Sequence, residues 1–318
     1  MSNKIKYREL CRLEKSIPIF IQDWWLDSVC GEDGWEVVII EKNGQIIAAL
    51  PYVFKNNRTF KTIINPPLTQ NCGPWLKVGT GKKNRLLSTE YRLLSELYEQ
   101  LPSHDYYCVN WSHLYKNWLP LMWLGYSQTT CYTYVIEDLS DLNEVFGNFS
   151  SSYRNKIRKA SELVHVSKGM HIDDFYMINK RTFDRQSVKM PYSCPFIERH
   201  DSILADKNRR EIFQAVDEMG NTHSALYLTW DDVSSYVHMV GEDPRYRSSG
   251  AGILLIWEAI KFTREVLNLN RFDFEGSMLP NVEKVRRDCG AVPVSYFRIE
   301  KFNNTLYQLL KGIRSKLC

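Results

Sequence analysis

Arg247-Ser248-Ser249-Gly250-Ala251-Gly252 sits between an apolar run, Tyr236–Val240, with its polar turn, and a second run, Ile253–Phe262. The order reads as strand, loop, glycine-bearing turn and buried helix. A helix start leaves backbone N–H groups unpaired and carries partial positive charge. Glycines let a phosphate approach that backbone closely, so such a turn can cradle a diphosphate. The same six residues also fit a plain Ser/Gly helix cap. Glu275 ends a short strand, where crevices of α/β folds open, and is the first candidate for a base. It equally fits a solvated strand-end carboxylate. His238 shares a strand face with Val240. Its imidazole can take a proton near neutral pH, or fill a hydrogen-bonded core position. Glu242 and Asp243 read as turn formers. No Ser/His/Asp or Cys/His order stands out, and no carboxylate cluster points to a metal.

These groups need a scaffold, and 318 residues at 44% hydrophobic content supply enough chain for two domains. The net charge of +4 is too small to argue for DNA or RNA by field alone. No apolar run approaches a membrane span of roughly 20 residues. The first nine residues lack the apolar core of a signal peptide. Eight scattered cysteines, without a Cys-x-x-Cys pair, argue against structural zinc and for a reducing cytoplasm. The Trp24-Trp25 pair reads as core rather than as a sugar platform.

The first half begins with helical turns over 7–30. Glu36–Glu41 and Gln45–Val53 flank Lys42-Asn43-Gly44, a hairpin signal. Pro51 marks an edge or bulge in the second strand. Residues 65–75, rich in Pro and Gly, are irregular. A helix over 85–100, a strand at 106–110, a short helix at 118–123 stopped by Gly125, and a strand at 126–136 follow. Leu142–Val164 reads as one amphipathic helix, with Phe146, Phe149, Tyr153, Ile157 and Ala160 three or four apart. Its polar side carries Arg154, Lys156, Arg158 and Lys159, either a solvated face or a basic wall. Helices at 172–183 and 195–207 flank an irregular stretch. Strands at 210–216, 223–230, 234–240, 271–275 and 292–302, and helices at 250–267, 281–289 and 305–316, complete the chain.

The halves repeat one order, with a period of roughly 170–190 residues, so the chain is a domain duplication. The hairpin at 36–53 pairs with 223–240, helix 85–100 with 250–267, and strand 106–110 with 271–275. Two prolines replace the glycine turn in the first half and remove two N–H donors. The second half therefore keeps the cofactor site, and the first half shapes a groove.

The chain resembles tandem-GNAT acyltransferases of the Fem type and their BioF2-like acetyltransferase relatives. Ser151–Ala160 looks like that family's basic helix, Trp257-Glu258-Ala259-Ile260-Lys261 its central helix, and Phe272-Asp273-Phe274-Glu275-Gly276 its following strand. Gly34–Val38, Ala49–Tyr52 and Pro66–Thr69 are similar in the first half. The resemblance implies an α/β (α+β) chain of two GNAT-like domains, 1–140 and 141–318. Each would be a mixed, mainly antiparallel sheet flanked by helices.

It also implies acyl transfer to an amine. Acyl-CoA (acetyl-CoA) is the donor, and the acceptor is a small or lipid-linked amine such as a cell-envelope or sugar precursor. The alternatives are an aminoacyl-tRNA donor, and a binding protein that lost the chemistry. Met239, Val240 and Gly241 would polarise the acyl carbonyl, and Arg247–Gly252 with Asn281 would hold the donor. Arg181, Asp184, Arg185, Gln186 and Tyr192 would face the acceptor, in a groove between domains of a monomer. Arg286 and Arg287 stand where many members carry a Tyr acid.

Overall fold

The computed structural model describes residues 1–276 and 278–317. The chain divides into two compact units, residues 1–131 with 295–318, and residues 132–294. The expected boundary near 140 thus moves to Tyr132, and residues from Ser295 onward join the first unit rather than the second. The cause is strand pairing, described below.

In the first unit α1 (Asn3–Leu13), a 3₁₀ turn (Ile19–Ile21) and α2 (Asp23–Cys30) precede β1 (Glu36–Lys42) and β2 (Gln45–Asn56). Asn43 and Gly44 both adopt positive φ, as the tight turn between these strands demands. β3 (Lys61–Ile64), β4 (Trp75–Leu76), α3 (Lys83–Glu99), β5 (Tyr106–Asn110) and α4 (Leu119–Trp123) follow. β2 pairs antiparallel with β1 and β3, and β3 runs parallel to β5. β4 meets β2 at Ala48 and Ala49 and β3 meets it from Val53 onward, so Pro51 falls in the gap between them. A residue without an N–H is tolerated there.

The chain enters the second unit within β6 (Ser127–Ile136). Leu142–Val164 is two helices rather than one, α5 (Leu142–Asn148) and α6 (Ser151–Leu163). Ser150 breaks the run: its hydroxyl accepts from the Tyr153 N–H and caps α6. Then come β7 (His165–Lys168), α7 (Ile172–Arg185), α8 (Cys194–Asp206), β8 (Arg210–Val216), β9 (Thr222–Trp230) and β10 (Ser235–Glu242). A 3₁₀ turn (Pro244–Ser249), α9 (Ala251–Glu265), β11 (Phe272–Asp273) and α10 (Pro280–Asp288) close the unit. β7, β8, β9 and β10 pair antiparallel in that order, β10 runs parallel to β11, and β11 pairs antiparallel with β6. Within β12 (Val292–Phe302) the chain returns to the first unit, where Arg298–Phe302 pairs with β5, and α11 (Thr305–Leu317) follows.

Each unit therefore has the expected mixed, mainly antiparallel sheet with flanking helices. The internal match shifts by one strand, however. The hairpin β1–β2 corresponds to β8–β9, and β3, not recognised in the sequence, corresponds to β10. Both precede the helix that crosses to a parallel strand.

Each unit also has its own core. In the second, α9 buries Leu254, Leu255, Ile256 and Ile260, each worth about 1.5–3 kcal/mol on leaving water. That burial fixes the helix although it starts from a left-handed Gly250. Among the described residues no helix is long and apolar enough to cross a membrane.

Candidate active site

β10 and β11 pair only at Ser235–Phe272 and Tyr236–Asp273, and then part. Three features hold them apart. β10 bulges against β9 between Val237 and Met239, leaving His238 as the extra residue. Beyond β11 the chain turns at Glu275, a non-glycine residue at φ 47°. Such a conformation costs about 1–3 kcal/mol and persists only where its surroundings impose it. Here Arg286 imposes it. Its guanidinium donates to the Phe274 carbonyl at 2.9 Å and the Glu275 carbonyl at 2.7 Å. Burial pushes the Arg286 pKa below the usual guanidinium range, against the pull of Glu275 and Asp273.

The parting opens a cavity of about 880 Å³. Val237–Val240 line one wall, with Phe274 opposite, and Leu279, Val282 and Val285 make an apolar side. Its floor is the start of α9, where Gly250 and Gly252 meet Lys156, Arg185 and Arg247. Ser249 Oγ accepts from the Ala251 N–H at 3.2 Å and the Gly250 carbonyl accepts from Ile253 at 3.1 Å. The remaining orphan N–H groups of this helix start belong to the two glycines. Gly250 has a second reason to be glycine: at φ 80°, a Cβ would come within 3.2 Å of Lys156 Cβ and 3.3 Å of its carbonyl oxygen.

Proton chemistry lies on the other side. Glu275 Oε1 is 2.9 Å from His238 Nδ1, and His238 Nε2 is 3.1 Å from His200 Nε2. A carboxylate only accepts, so His238 carries its proton on Nδ1 and accepts from His200 at Nε2. Burial, and then the neighbouring imidazole, drive the His200 pKa well down, which keeps it neutral. The His238 side chain is 1% exposed and that of Glu275 16%; His238 lines the cavity, whereas Glu275, the first candidate base, is not among its lining residues. Behind them Asp273 is buried, which pushes its carboxyl up to about 6 against Arg271 and Thr133.

Residues 147–280 match the family model described as an acetyltransferase (GNAT) domain. Most of the second unit is thus similar to a GNAT domain.

The whole chain has the tandem-GNAT fold. It superposes on FemX with a TM-score of 0.69 at 12% identity, covering 97% of this chain and 98% of FemX. A tandem GNAT protein from the clavulanic acid biosynthesis pathway gives 0.51 at 10% identity, over 84% and 83%. The C-terminal domain of a putative lysylphosphatidylglycerol synthetase from Agrobacterium fabrum gives 0.56 at 9%, over 97% and 94%. No curated protein matches the sequence.

Within this unit the expected site residues separate into two groups. Met239, Val240, Arg247, Gly250, Gly252, Asn281, Arg185, Gln186 and His238 line the cavity. Ser249 and Ala251 shape the turn from behind, and Ser248 is exposed. Gly241 lies outside the wall and serves packing, since a Cβ there would overlap the backbone of α7 at Asn179. Arg181 is turned away, paired with the buried Asp243 that Arg245 also holds, and Asp184 pairs with Lys180. Tyr192 donates to Asn179 Oδ1, its oxygen lies 3.3 Å from Met239 Sδ, and it braces β10 from outside the cavity.

Three residues were missed or read differently. His200 gave no signal, being 38 positions from its partner. Arg286 proves to be a clasp on two carbonyls. Glu242 is no turn former but a wall of the cavity, and strand alternation, which puts it on the face of Val240, was its signal.

Proposed function

We propose that the second unit transfers an acyl group from acyl-CoA to an amine. One observation carries this reading: a single cavity joins the parted strands to the glycine turn and its three cations. The diphosphate of the donor lies on the Gly250 and Gly252 N–H groups, facing Arg247, Lys156 and Arg185. The pantetheine arm runs along the apolar side toward the cleft. Backbone N–H groups of the unpaired edge of β10, near Met239 and Val240, polarise the thioester carbonyl. The amine nitrogen attacks the carbonyl carbon, the N–C bond forms, and the C–S bond breaks. The proton shed by the amine goes to Glu275, whose hydrogen bond to His238 keeps it oriented. The leaving sulfur departs as thiolate. The acceptor is a small or lipid-linked amine entering past Arg185 and Gln186.

Calorimetric titration with desulfo-CoA tests this. Wild type binds at micromolar affinity, and Arg247→Ala weakens it about tenfold by removing one charged contact. Absence of binding by the wild-type protein sinks the acyl-CoA donor.

A second donor, an aminoacyl ester carried on tRNA, is favoured by the exposed Arg158 and Lys159 of α6. Reversing both charges abolishes RNA binding on that reading and leaves the desulfo-CoA titration unchanged.

A further inference from the structure

The donor end of the cavity already contains an anion. Glu242 closes β10, and its N–H donates to Thr182 Oγ1 at 2.9 Å, which fixes its backbone. Its side chain, 24% exposed, turns to the start of α9. Oε2 accepts from Arg247 Nε at 3.1 Å, and Oε1 lies 3.6 Å from where a Cβ on Gly252 would stand. A carboxylate in this position stands beside the same helix start, and holds the same guanidinium, that a phosphate would use.

We propose that Glu242 is a resident counter-anion of the donor site, which a phosphate-bearing donor must displace from Arg247 before it can bind. The inference rests on the donor placement above and adds the residue that sets its affinity and its pH response. Three cations, Lys156 from α6, Arg185 from α7 and Arg247 from the 3₁₀ turn, surround one carboxylate. Their net charge of about two suits a diphosphate but leaves Arg247 engaged in its absence. β9 brings the Ser224 hydroxyl to this face. The neighbouring charges are paired elsewhere, Asp243 with Arg181 and Arg245, and His223 with Asp217.

Burial raises the Glu242 carboxyl above its ordinary range, opposed by Arg247, Arg185 and Lys156. A bound diphosphate adds negative charge beside it and favours the protonated form further. Donor binding therefore takes up a proton, and tightens as the pH falls toward the Glu242 pKa.

The test is calorimetric titration of the full chain with inorganic pyrophosphate and with desulfo-CoA, at pH 6 and pH 8, for wild type, Glu242→Gln and Arg247→Ala. Circular dichroism checks that each variant is folded. Glu242→Gln binds both probes about tenfold tighter than wild type at pH 8, and the ratio narrows as the pH is lowered. Using the ratio cancels the protonation of the probe itself. Suppose instead that Glu242→Gln binds no tighter, or more weakly, while Arg247→Ala still loses affinity. Glu242 then orients Arg247 rather than competing with the donor, and the inference falls while the donor site stands. If neither wild type nor Glu242→Gln binds either probe, the donor site falls and the inference falls with it.

Discussion

Glu275→Gln lowers turnover by about 10²–10⁴-fold and leaves desulfo-CoA affinity at the wild-type value. The magnitude is that of losing a positioned base. The substitution is chosen for what it keeps. The amide oxygen still accepts from His238 Nδ1, so the backbone turn at Glu275 and the Arg286 clasp stay in place. What is lost is the capacity to hold a proton. Single-turnover acyl transfer to the amine returned by an acceptor screen, with calorimetry alongside, separates chemistry from binding. Wild-type turnover in the variant would assign the proton to another group. A parallel loss of donor affinity would mean that Glu275 shapes the cavity instead.

The second large effect is on stability. Gly241→Ala lowers the melting temperature by about 6–12 °C, corresponding to about 3 kcal/mol of overpacking in a unit of this size. A Cβ there would stand 2.6 Å from the Asn179 backbone nitrogen and 2.9 Å from its Cα. Helix backbone cannot yield as a side-chain tip can, so α7 must lift from β10. That lifting breaks the bond from Asn179 Nδ2 to the Val240 carbonyl at 2.7 Å, and those between Thr182 and Glu242. Gly252→Ala is the control. Its Cβ meets Ser224 and Glu242 at 3.5 and 3.6 Å, ordinary contacts, and alanine favours a helix by about 1 kcal/mol. It melts at or slightly above the wild type. Equal melting of the two variants would contradict the close seat of α7 on β10.

These two glycines show what could and could not be read from the sequence. Gly250 and Gly252 stood between an apolar strand and an apolar helix, so local pattern alone exposed the turn. Gly241 occurs in the same segment, but its neighbour is Asn179, 62 residues earlier, and no periodicity reports that. The same divide runs through the fold. Asn43-Gly44 marked its hairpin because the turn needs positive φ at both positions. Tyr106–Asn110 stood out as a short apolar strand between breaks. β3 and β7, four residues each, are too short for alternation to register. Leu142–Val164 looked continuous because its apolar spacing continues through Phe149, while the cap at Ser150 interrupts the backbone. In the site, His238 and Glu275 were each legible as titratable groups near a crevice. Their hydrogen bond, and the buried His200 behind it, are products of tertiary packing. The pairing of Arg181 with Asp243 likewise removed a cation that sequence reasoning had assigned to the acceptor.

The division of the chain bears on the order in which it is built. The first unit takes residues 1–131 and then needs Ser295 onward to pair with β5. The second unit is continuous from 132 to 294. On the ribosome the half synthesised later is therefore the first to have all its strands. Until residues 298–302 emerge, the earlier half waits with one edge of β5 open, a template for wrong pairing.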